Sequence, residues 1–173
     1  MMGTVGPGQA DPRYRPCVGI MVLNTDRRVW IGRRPHAPRE PEGPGSWWQM
    51  PQGGIDERED AAKAALRELA EETGIRSVEI IAESAQWHFY DLPENLRPQA
   101  WGGRYRGQRQ KWFAMRFTGT DDEVMLAPPG HKPEFDAWRW AGIDELVDLI
   151  VPFKRDVYAK VVAEFAPLAR LRP

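Results

Sequence analysis

The sequence predicts one domain of the α/β or α+β class, in which a mixed β-sheet is interleaved with helices. The chain has 173 residues, and a single domain takes roughly 100–200 residues, so one hydrophobic core is expected. Short runs of β-branched and aromatic residues alternate with segments of helical periodicity, a pattern typical of these classes. We expect a flexible N-terminal arm at residues 1–13, the domain at residues 14–166 and a C-terminal tail at residues 167–173.

Several segments are strand candidates, because they are rich in β-branched and aromatic residues and are bounded by turn residues. They are residues 17–23, 29–32, 46–50, 78–82, 86–90, 109–117 and 135–140. The first two are separated by Asn-Thr-Asp at residues 24–26, which predicts a turn. Residues 109–117 alternate with a period of two, as a half-buried strand does.

Helices are predicted at residues 60–72, 143–150 and 153–165. In the first of them Ala61, Ala65 and Leu69 recur at helical spacing, and Gly74 follows as a stop signal. Between two strand candidates, the Pro- and Gly-rich residues 35–45 form an irregular loop that is long enough to suggest a function. We expect this loop to cap a site or to restrict access to it.

Composition excludes several classes of protein. Hydrophobic residues make up 42% of the chain and eight residues are Trp, whereas a disordered chain has few aromatics and a large net charge. The charges nearly cancel, with 24 Lys plus Arg against 25 Asp plus Glu, which argues against indiscriminate binding of nucleic acid. No apolar stretch approaches the roughly 18 residues that span a bilayer, so no membrane partner is expected.

The single cysteine and the three histidines are not expected to act in catalysis or in metal binding. Cys17 cannot form an internal disulfide, which favours a reducing, cytoplasmic compartment, and its apolar strand predicts that it is buried and unreactive. His36, His88 and His131 are spread too widely for a zinc pattern. The tryptophans expected in the core or in a pocket wall are Trp47, Trp48, Trp112, Trp138 and Trp140.

The first predicted helix carries an unusual set of acids. Glu68 and Glu72 are four residues apart and share one face, with Glu71 at its edge. Like charges at this spacing destabilise a helix, and acids near its C-terminus oppose the helix dipole. A divalent cation would reverse both penalties, and closely spaced carboxylates suit Mg²⁺ or Mn²⁺. The alternative is that the acids only solvate an exposed helix face.

The residues before this helix favour the metal-binding interpretation. Gly53 and Gly54 permit a turn whose carbonyl can approach a bound ion closely. Arg67 can hold Glu59 or Glu71 in place as an ion pair. Together, residues 53–75 resemble a complete Nudix box, which runs Gly, five residues, Glu, seven residues, then Arg-Glu-apolar-x-Glu-Glu-x-Gly-apolar, with every fixed position present. The resemblance implies the Nudix fold, an α/β/α sandwich around a mixed sheet, and hydrolysis of a nucleoside diphosphate linked to a further moiety.

The resemblance also implies a role for each matching residue. The implied metal ligands are Gly53, through its carbonyl, Glu68, Glu71, Glu72 and, outside the box, Glu134. The implied cofactor is Mg²⁺, with Mn²⁺ or another divalent cation as a substitute. Glu68 is the leading general base and Glu134 the alternative, so the catalytic set is Glu68, Glu72 and Glu134. Glu59 and Arg67 would be structural partners.

The match extends beyond the box over residues 14–165. Segments at residues 14–20, 48–55, 110–113, 133–140 and 151–158 are similar, in that order, to the bacterial RNA pyrophosphohydrolase branch, also described as dinucleoside polyphosphate hydrolases. This resemblance implies removal of pyrophosphate, or of successive phosphates, from 5′-triphosphate RNA ends to leave a 5′-monophosphate, as in mRNA decay. The loop at residues 35–45 looks longer than the simplest members need, which leaves the substrate preference open.

Basic segments supply the positive charge that a polyphosphate requires. Residues 97–116 contain six cations and no acid, and residues 13–39 contain seven arginines against Asp26 alone. The phosphate contacts expected from position in the family are Arg15, Arg34, Lys111 and Lys154. Phe153, at a helix start, would stack a nucleobase. The alternatives are solvated faces for the cations and ordinary packing for the aromatic ring.

Three hypotheses remain open at this stage. The first is an RNA 5′-end pyrophosphohydrolase that also cleaves dinucleoside polyphosphates. The second is an enzyme that acts mainly on dinucleoside polyphosphates such as diadenosine tetraphosphate, with RNA incidental. The third is a nucleotide-sensing or RNA-binding protein without catalysis, which the complete set of acids disfavours. We expect no DNA partner, and a monomer is favoured.

Overall fold

The computed structural model describes residues 11–35, 47–98 and 100–170. Most of the predicted N-terminal arm lies outside these ranges, as do the last three residues of the predicted tail. The Pro/Gly loop also lies outside them from residue 36 onward, together with His36. The expectation that this loop caps a site therefore stays a prediction.

Within the described residues, eight strands form one mixed sheet, which confirms the predicted fold class. They are β1 (Tyr14–Leu23), β2 (Val29–Arg33), β3 (Trp48–Gln49), β4 (Gln52–Gly54), β5 (Val78–Glu83), β6 (His88–Asp91), β7 (Gly107–Phe117) and β8 (Ala137–Ala141). The strand order is β3-β2-β1-β7-β5, with β4 paired to β1, β6 to β7 and β8 to β2. β1 and β7 are parallel along the whole length of β1, and the other pairs are antiparallel.

In the part of the chain that the structure describes, three α-helices accompany the sheet: α1 (Ala61–Thr73), α2 (Leu146–Leu149) and α3 (Arg155–Ala169). Asp60 is the N-cap of α1, since its carboxylate accepts a hydrogen bond from the Lys63 N–H. The predicted helix at residues 143–150 is divided into a 3₁₀ turn and the single turn of α2. The third helix begins after a 3₁₀ turn at Pro152–Lys154 and continues to Ala169, into the predicted tail. None of the helices in the described ranges is long and apolar enough to cross a membrane.

Helices α1 and α3 pack on opposite faces of the sheet, as in the α/β/α sandwich that the resemblance implied. Ala65 and Leu69 of α1 are buried in one hydrophobic core, whereas Tyr158 and Val161 of α3 are buried in the other. Residues 17–23 of β1 are buried on both faces of the sheet. This burial explains why the strand reads as a continuous apolar run.

The tryptophans and the cysteine lie where the sequence predicts. Trp112 is fully buried and Trp47 nearly so, while the partly buried tryptophans packed against the two cores are Trp48, Trp138 and Trp140. Cys17 is buried, and its burial raises the pKa of the thiol to about 11. The thiol is therefore protonated at neutral pH, in line with the prediction that it is unreactive.

Candidate functional site

Helix α1 places acids at the end where its own dipole opposes them. Gly74 ends the helix with a left-handed backbone, φ 75°, and its N–H donates to the Ala70 carbonyl at 2.9 Å. Glu71 and Glu72 lie in the last turn of α1, which holds no basic residue. These acids are therefore unfavourable for the helix itself, and their neighbours must hold them in place.

Arg67 is the neighbour that holds several of these acids. Its Nε and Nη2 donate to the two carboxylate oxygens of Glu59, each at 2.8 Å. Nη2 also donates to the Gly54 carbonyl at 2.9 Å, while Nη1 donates to Glu68 at 2.9 Å and to Glu71 at 3.3 Å. One guanidinium group thus ties the loop before α1 to two acids of the helix.

The electrostatics of the Glu59–Arg67 pair suit a structural role. The hydrogen bond from Arg67, and a second from the Asp56 N–H, hold the pKa of Glu59 at about 2. In return, the hydrogen bond to Glu59 raises the pKa of Arg67 above its ordinary value. Both groups are therefore charged at any physiological pH. The structural role that the resemblance implied for them stays a prediction, now with a geometry that fits it.

Strand β4 brings its glycine backbone directly against α1 and β1. A Cβ atom at Gly53 would overlap the carboxylate of Glu68, and one at Gly54 would overlap the guanidinium of Arg15. Only glycine permits so close an approach at these two positions. The backbone of Gly53 consequently lies beside the acidic side chains of the helix.

The charges of Glu68 and Glu134 act on the carboxyl group of Glu72. The pKa of Glu72 is raised well above its ordinary value. Burial is the largest cause, and the charges of Glu134 and Glu68 raise the pKa further. The Gln52 N–H donates to Glu72 at 3.2 Å and opposes this effect. Burial also raises the pKa of Glu68, against the effect of Arg67. Without a bound cation, the charged forms of Glu68 and Glu72 are therefore disfavoured.

We call Gly53, Glu68, Glu72 and Glu134 the acidic end of the site. Its donors are carboxylate oxygens and a backbone carbonyl, which are the ligands that hard divalent cations prefer. Within the described part of the chain, however, no group of three or more His, Cys, Asp or Glu residues is placed to hold a metal ion. Glu68 instead accepts a hydrogen bond from Arg67. The acidic end therefore has the oxygen ligands and the negative charge that a divalent cation requires. Its carboxylates would have to reorient before they could coordinate one ion together.

A cavity of about 690 Å³ opens beside the acidic end. The predicted site residues that line it are Arg15, Arg34, Gly53, Glu68, Glu72, Glu134, Phe153 and Lys154. They come from β1, the residue after β2, β4, α1, the loop before β8 and the turn before α3. Binding sites for small molecules typically enclose about 300–1,000 Å³, so the cavity has room for a nucleotide-sized ligand.

Three cations line the same cavity as the acidic end, and we call Arg15, Arg34 and Lys154 the cationic wall. Lys154 is only 5% exposed. Its charge lowers the pKa of Glu72, although burial and the neighbouring acids outweigh this effect. A cavity with carboxylates at one end, and with one buried and two partly buried cations in its wall, can hold an anion against the wall and a cation against the acids.

Aromatic rings border the cationic wall. The Phe153 and Tyr90 ring centroids are 5.8 Å apart, and the Lys154 Nζ lies 5.4 Å from the centroid of Tyr90. The Arg15 guanidinium lies over the ring of Trp101 at 5.5 Å. Partly buried Phe153 therefore stands at the cavity, next to a cation, as a base-stacking residue would. Its stacking role stays a prediction.

Two of the residues predicted to bind the metal or the substrate do not line the cavity. Lys111 was expected beside the other phosphate-binding cations, yet its Nζ lies 3.6 Å from the Glu83 carboxylate. Gln108, which does line the cavity, is three residues away on β7, and an odd offset along a strand places side chains on opposite faces. The structure thus places Lys111 away from the cavity lining, and its contact with phosphate stays a prediction. Glu71 is the second case, since it accepts a hydrogen bond from Arg67 outside the cavity lining.

The sequence interpretation also missed residues of the cavity. They are Gln52, Tyr90, Leu92, Leu96, Ala100, Trp101 and Gln108. The period-two alternation of β7 could have assigned Gln108 to a different face from Lys111. Trp101 gave no periodic signal, because it lies in a short 3₁₀ segment with a left-handed backbone, φ 49°.

Comparison with known proteins agrees with this geometry. The profile of the NUDIX domain family matches residues 13–161. A protein of Rhodopseudomonas palustris named RNA pyrophosphohydrolase is 56% identical over 92% of this chain and 95% of its own length. A protein of Rhizobium meliloti with the same name is 55% identical over 92% of this chain and 98% of its own length.

Solved structures show the same fold at low sequence identity. The dihydroneopterin triphosphate pyrophosphohydrolase of E. coli has a TM-score of 0.64 at 20% identity, covering 87% of this chain and 98% of its own. A C. elegans Ap4A hydrolase, solved as a binary complex, has a TM-score of 0.58 at 18% identity with the same coverage. With the acidic helix, its arginine and its glycine strand in place, the chain is a member of the NUDIX domain family.

Proposed function

We propose that this protein is a hydrolase that depends on a divalent cation and removes pyrophosphate, or successive phosphates, from 5′-triphosphate RNA ends. The observation that carries the proposal is the cavity in which the acidic end and the cationic wall meet. A triphosphate bears several negative charges, so it needs cations in the protein as well as a metal. Relatives that share more than half of their residues with this chain, over nearly its whole length, are named RNA pyrophosphohydrolases.

The residues that would hold the cation are Gly53, through its carbonyl, Glu68, Glu71, Glu72 and Glu134. Nudix hydrolases generally use a divalent cation, usually Mg²⁺. Such an ion, when bound, neutralises charge on the phosphoryl group and lowers the pKa of water. The raised pKa of Glu72 supports this choice, because a cation would relieve the repulsion among the acids.

Glu68 is our choice for the general base. It lies at the cavity, and burial raises its pKa towards the range in which a carboxylate accepts a proton efficiently. It would accept the proton of the water that attacks phosphorus, while the phosphoric anhydride bond breaks and pyrophosphate leaves. Glu134 also lines the cavity and is the alternative base.

The cationic wall and its aromatic neighbours would hold the substrate. Arg15, Arg34 and Lys154 would neutralise the phosphates that lie away from the acids. Phe153 would stack the first nucleobase beside Lys154. Dinucleoside polyphosphates present the same anhydride bond next to a nucleoside, so the same contacts would accept them as secondary substrates.

Product analysis tests this proposal directly. The protein is incubated with Mg²⁺ and a 5′-triphosphate RNA, and the RNA end and the released phosphates are identified. We expect a 5′-monophosphate end with release of pyrophosphate or of successive phosphates, and no reaction in excess EDTA. Cleavage of internal phosphodiester bonds, or turnover that EDTA leaves unchanged, would contradict the proposal.

A further inference from the structure

Three strands that contribute to the cavity also build an open surface on the opposite face of the sheet. β1, β6 and β7 supply Arg15, Tyr90 and Gln108 to the cavity. The neighbouring residues are Tyr14, Phe89 and Arg109, and successive side chains of a strand point to opposite faces. Phe89 and Arg109 are directly opposite each other in the β6–β7 register. We call Tyr14, Trp87, Phe89, Arg106 and Arg109 the edge platform.

Helix α1 leaves the edge platform uncovered. The core beneath α1 includes residues 18, 20 and 22 of β1 and residues 113, 115 and 117 of β7. The platform lies towards the opposite end of these strands, and its three aromatic residues belong to neither of the two described cores. Phe89 is 37% exposed, which is high for a large apolar side chain.

Cations and aromatic rings are interleaved on the platform. The Arg109 guanidinium lies 4.8 Å from the centroid of the Trp87 ring, and that of Arg106 lies 5.8 Å from the Tyr14 ring. The Tyr14 and Phe89 rings meet edge to face at 5.1 Å. Exposed aromatic rings beside arginines are the feature with which proteins bind single-stranded nucleic acid, because bases stack on the rings and phosphates pair with the cations.

The charge around the platform favours a polyanion. Among the described residues, the cations on and next to it are Arg13, Arg97, Arg104, Arg106, Arg109 and Lys111, and the nearby carboxylates are Asp11, Glu83, Asp91 and Glu94. This region is therefore net positive by two, although the whole chain has a net charge of −1. An apolar protein partner would not require such an excess of arginine, whereas an RNA strand does.

We propose that the edge platform binds the single-stranded RNA chain downstream of the 5′ end that occupies the cavity. The inference rests on the proposed function for the identity of the substrate. Arg97 and Arg104 lie in the segment that joins β6 to β7, as does the cavity residue Trp101, so basic residues continue from the cavity towards the platform. A dinucleoside polyphosphate, which ends within the cavity, would gain nothing from the platform.

The test compares a long and a short substrate in platform variants. Phe89→Ala and Arg109→Gln are assayed on a triphosphate RNA of about twelve nucleotides, a length within the usual site sizes, and on a triphosphate dinucleotide. We expect the KM for the long RNA to rise about tenfold in Phe89→Ala, as for loss of one stacked base, with the dinucleotide unaffected. Arg109→Gln should also reduce the slope of log KM against log salt by about 0.7 for the long RNA only.

Matched controls separate the platform from general surface effects. Ile80→Ala removes an exposed apolar side chain of β5, and Arg116→Gln removes an exposed arginine at the other end of β7. Neither should alter the KM for either RNA. Equal losses on both substrates in the platform variants, or no loss on the long RNA, would overturn the proposal.

A binding measurement distinguishes failure of the platform from failure of the proposed function. Fluorescence anisotropy with a labelled RNA of the same length, ending in a 5′-monophosphate, needs no turnover. Weaker binding in Phe89→Ala than in Ile80→Ala supports the platform even if the wild-type protein hydrolyses no RNA. Equal binding in these two variants would refute the platform while leaving hydrolysis of short triphosphates intact.

Discussion

The acidic end and the cationic wall line one cavity, but the chain builds them differently. Apart from Glu134, the acidic end comes from one segment, in which β4 leads through a loop into α1. The wall comes from three distant places: β1, the residue after β2 and the turn before α3. The acidic end depends on local spacing and on one arginine, whereas the wall depends on long-range packing of the sheet against α3.

This difference explains where each half of the site should be sensitive to change. Arg67 holds Glu59, Glu68 and Glu71 through hydrogen bonds within a short stretch of chain. Substitutions at the acidic end should therefore alter the chemical step more than the placement of other residues. Substitutions in the wall should alter affinity for the polyphosphate, because the fold positions its cations at the cavity and their charge would attract the phosphates.

The largest expected effect follows from Glu72→Gln at the acidic end. Loss of this carboxylate should lower kcat on triphosphate RNA by about 10²–10³-fold, the scale of one lost electrostatic contact to a transition state. The variant should remain folded in EDTA, because burial and neighbouring acids already disfavour the charge of Glu72. Steady-state kinetics and thermal unfolding check both points. Exposed Glu57→Gln is the control, and wild-type turnover by Glu72→Gln at saturating Mg²⁺ would contradict its assignment as a ligand.

Two lysine variants test which lysine belongs to the cationic wall. Lys154→Met should raise the KM for triphosphate RNA about tenfold or more, since a hydrogen bond to a charged group is lost. Lys111→Met should change the KM by less than about twofold, because Lys111 lies beside Glu83 and outside the cavity lining. If the two variants lose the same affinity, Lys111 contacts the substrate after all.

Phe153→Ala tests the aromatic border of the wall. We expect the KM for RNA to rise about fivefold to tenfold through loss of base stacking, and the KM for inorganic triphosphate to stay unchanged. Phe153→Tyr should retain most of the affinity for RNA, since it keeps an aromatic face. Equal losses on the two substrates would instead show that Phe153 acts by packing against Tyr90.

The smallest effect concerns stability at the acidic end and its dependence on pH. Because Arg67 and the Asp56 N–H lower the folded-state pKa of Glu59 from 4.5 to about 2, this group stabilises the fold above its unfolded-state pKa. The stabilisation is lost as the pH falls from 4.5 towards 2. Glu59→Gln should lower the free energy of unfolding by about 1 kcal/mol at pH 7. Urea unfolding across this range checks the trend.

The control for this pH dependence is Glu79→Gln, which removes an exposed carboxylate that pairs with Arg116. It should change stability little at any pH, because exposed ion pairs contribute little. The free energies of unfolding of wild type and Glu59→Gln should converge as the pH falls. If their difference stays constant from pH 7 to pH 2, the Glu59–Arg67 pair is not the cause of that difference.

The same contrast between local and long-range assembly decides how far the sequence could predict the site. The positions of Glu59, Arg67 and Glu68 follow from helical spacing and from the glycines of β4, so their contacts were predictable. The strand and helix order was also predictable from periodicity, which gave the fold class. The acids needed no knowledge of the rest of the chain. The turn predicted at Gly53 and Gly54 was wrong, because both glycines lie in β4 and pair with β1.

The cationic wall could not be predicted from spacing alone. Whether a strand residue faces the cavity depends on the register and twist of the sheet, and for this reason spacing alone did not show that Gln108 lines the cavity and that Lys111 does not. Trp101 lies in an irregular segment without periodicity, so its contact with Arg15 depended on the folded structure.

The central claim is that the two halves of the cavity act together on an RNA 5′ end. The most direct measurement compares kcat/KM, with Mg²⁺ and at matched concentrations, for a 5′-triphosphate RNA and for diadenosine tetraphosphate. We expect release of pyrophosphate or phosphate from RNA, with a higher kcat/KM than for diadenosine tetraphosphate. Undetectable release from RNA together with efficient cleavage of diadenosine tetraphosphate would contradict it and would identify a small-nucleotide hydrolase instead.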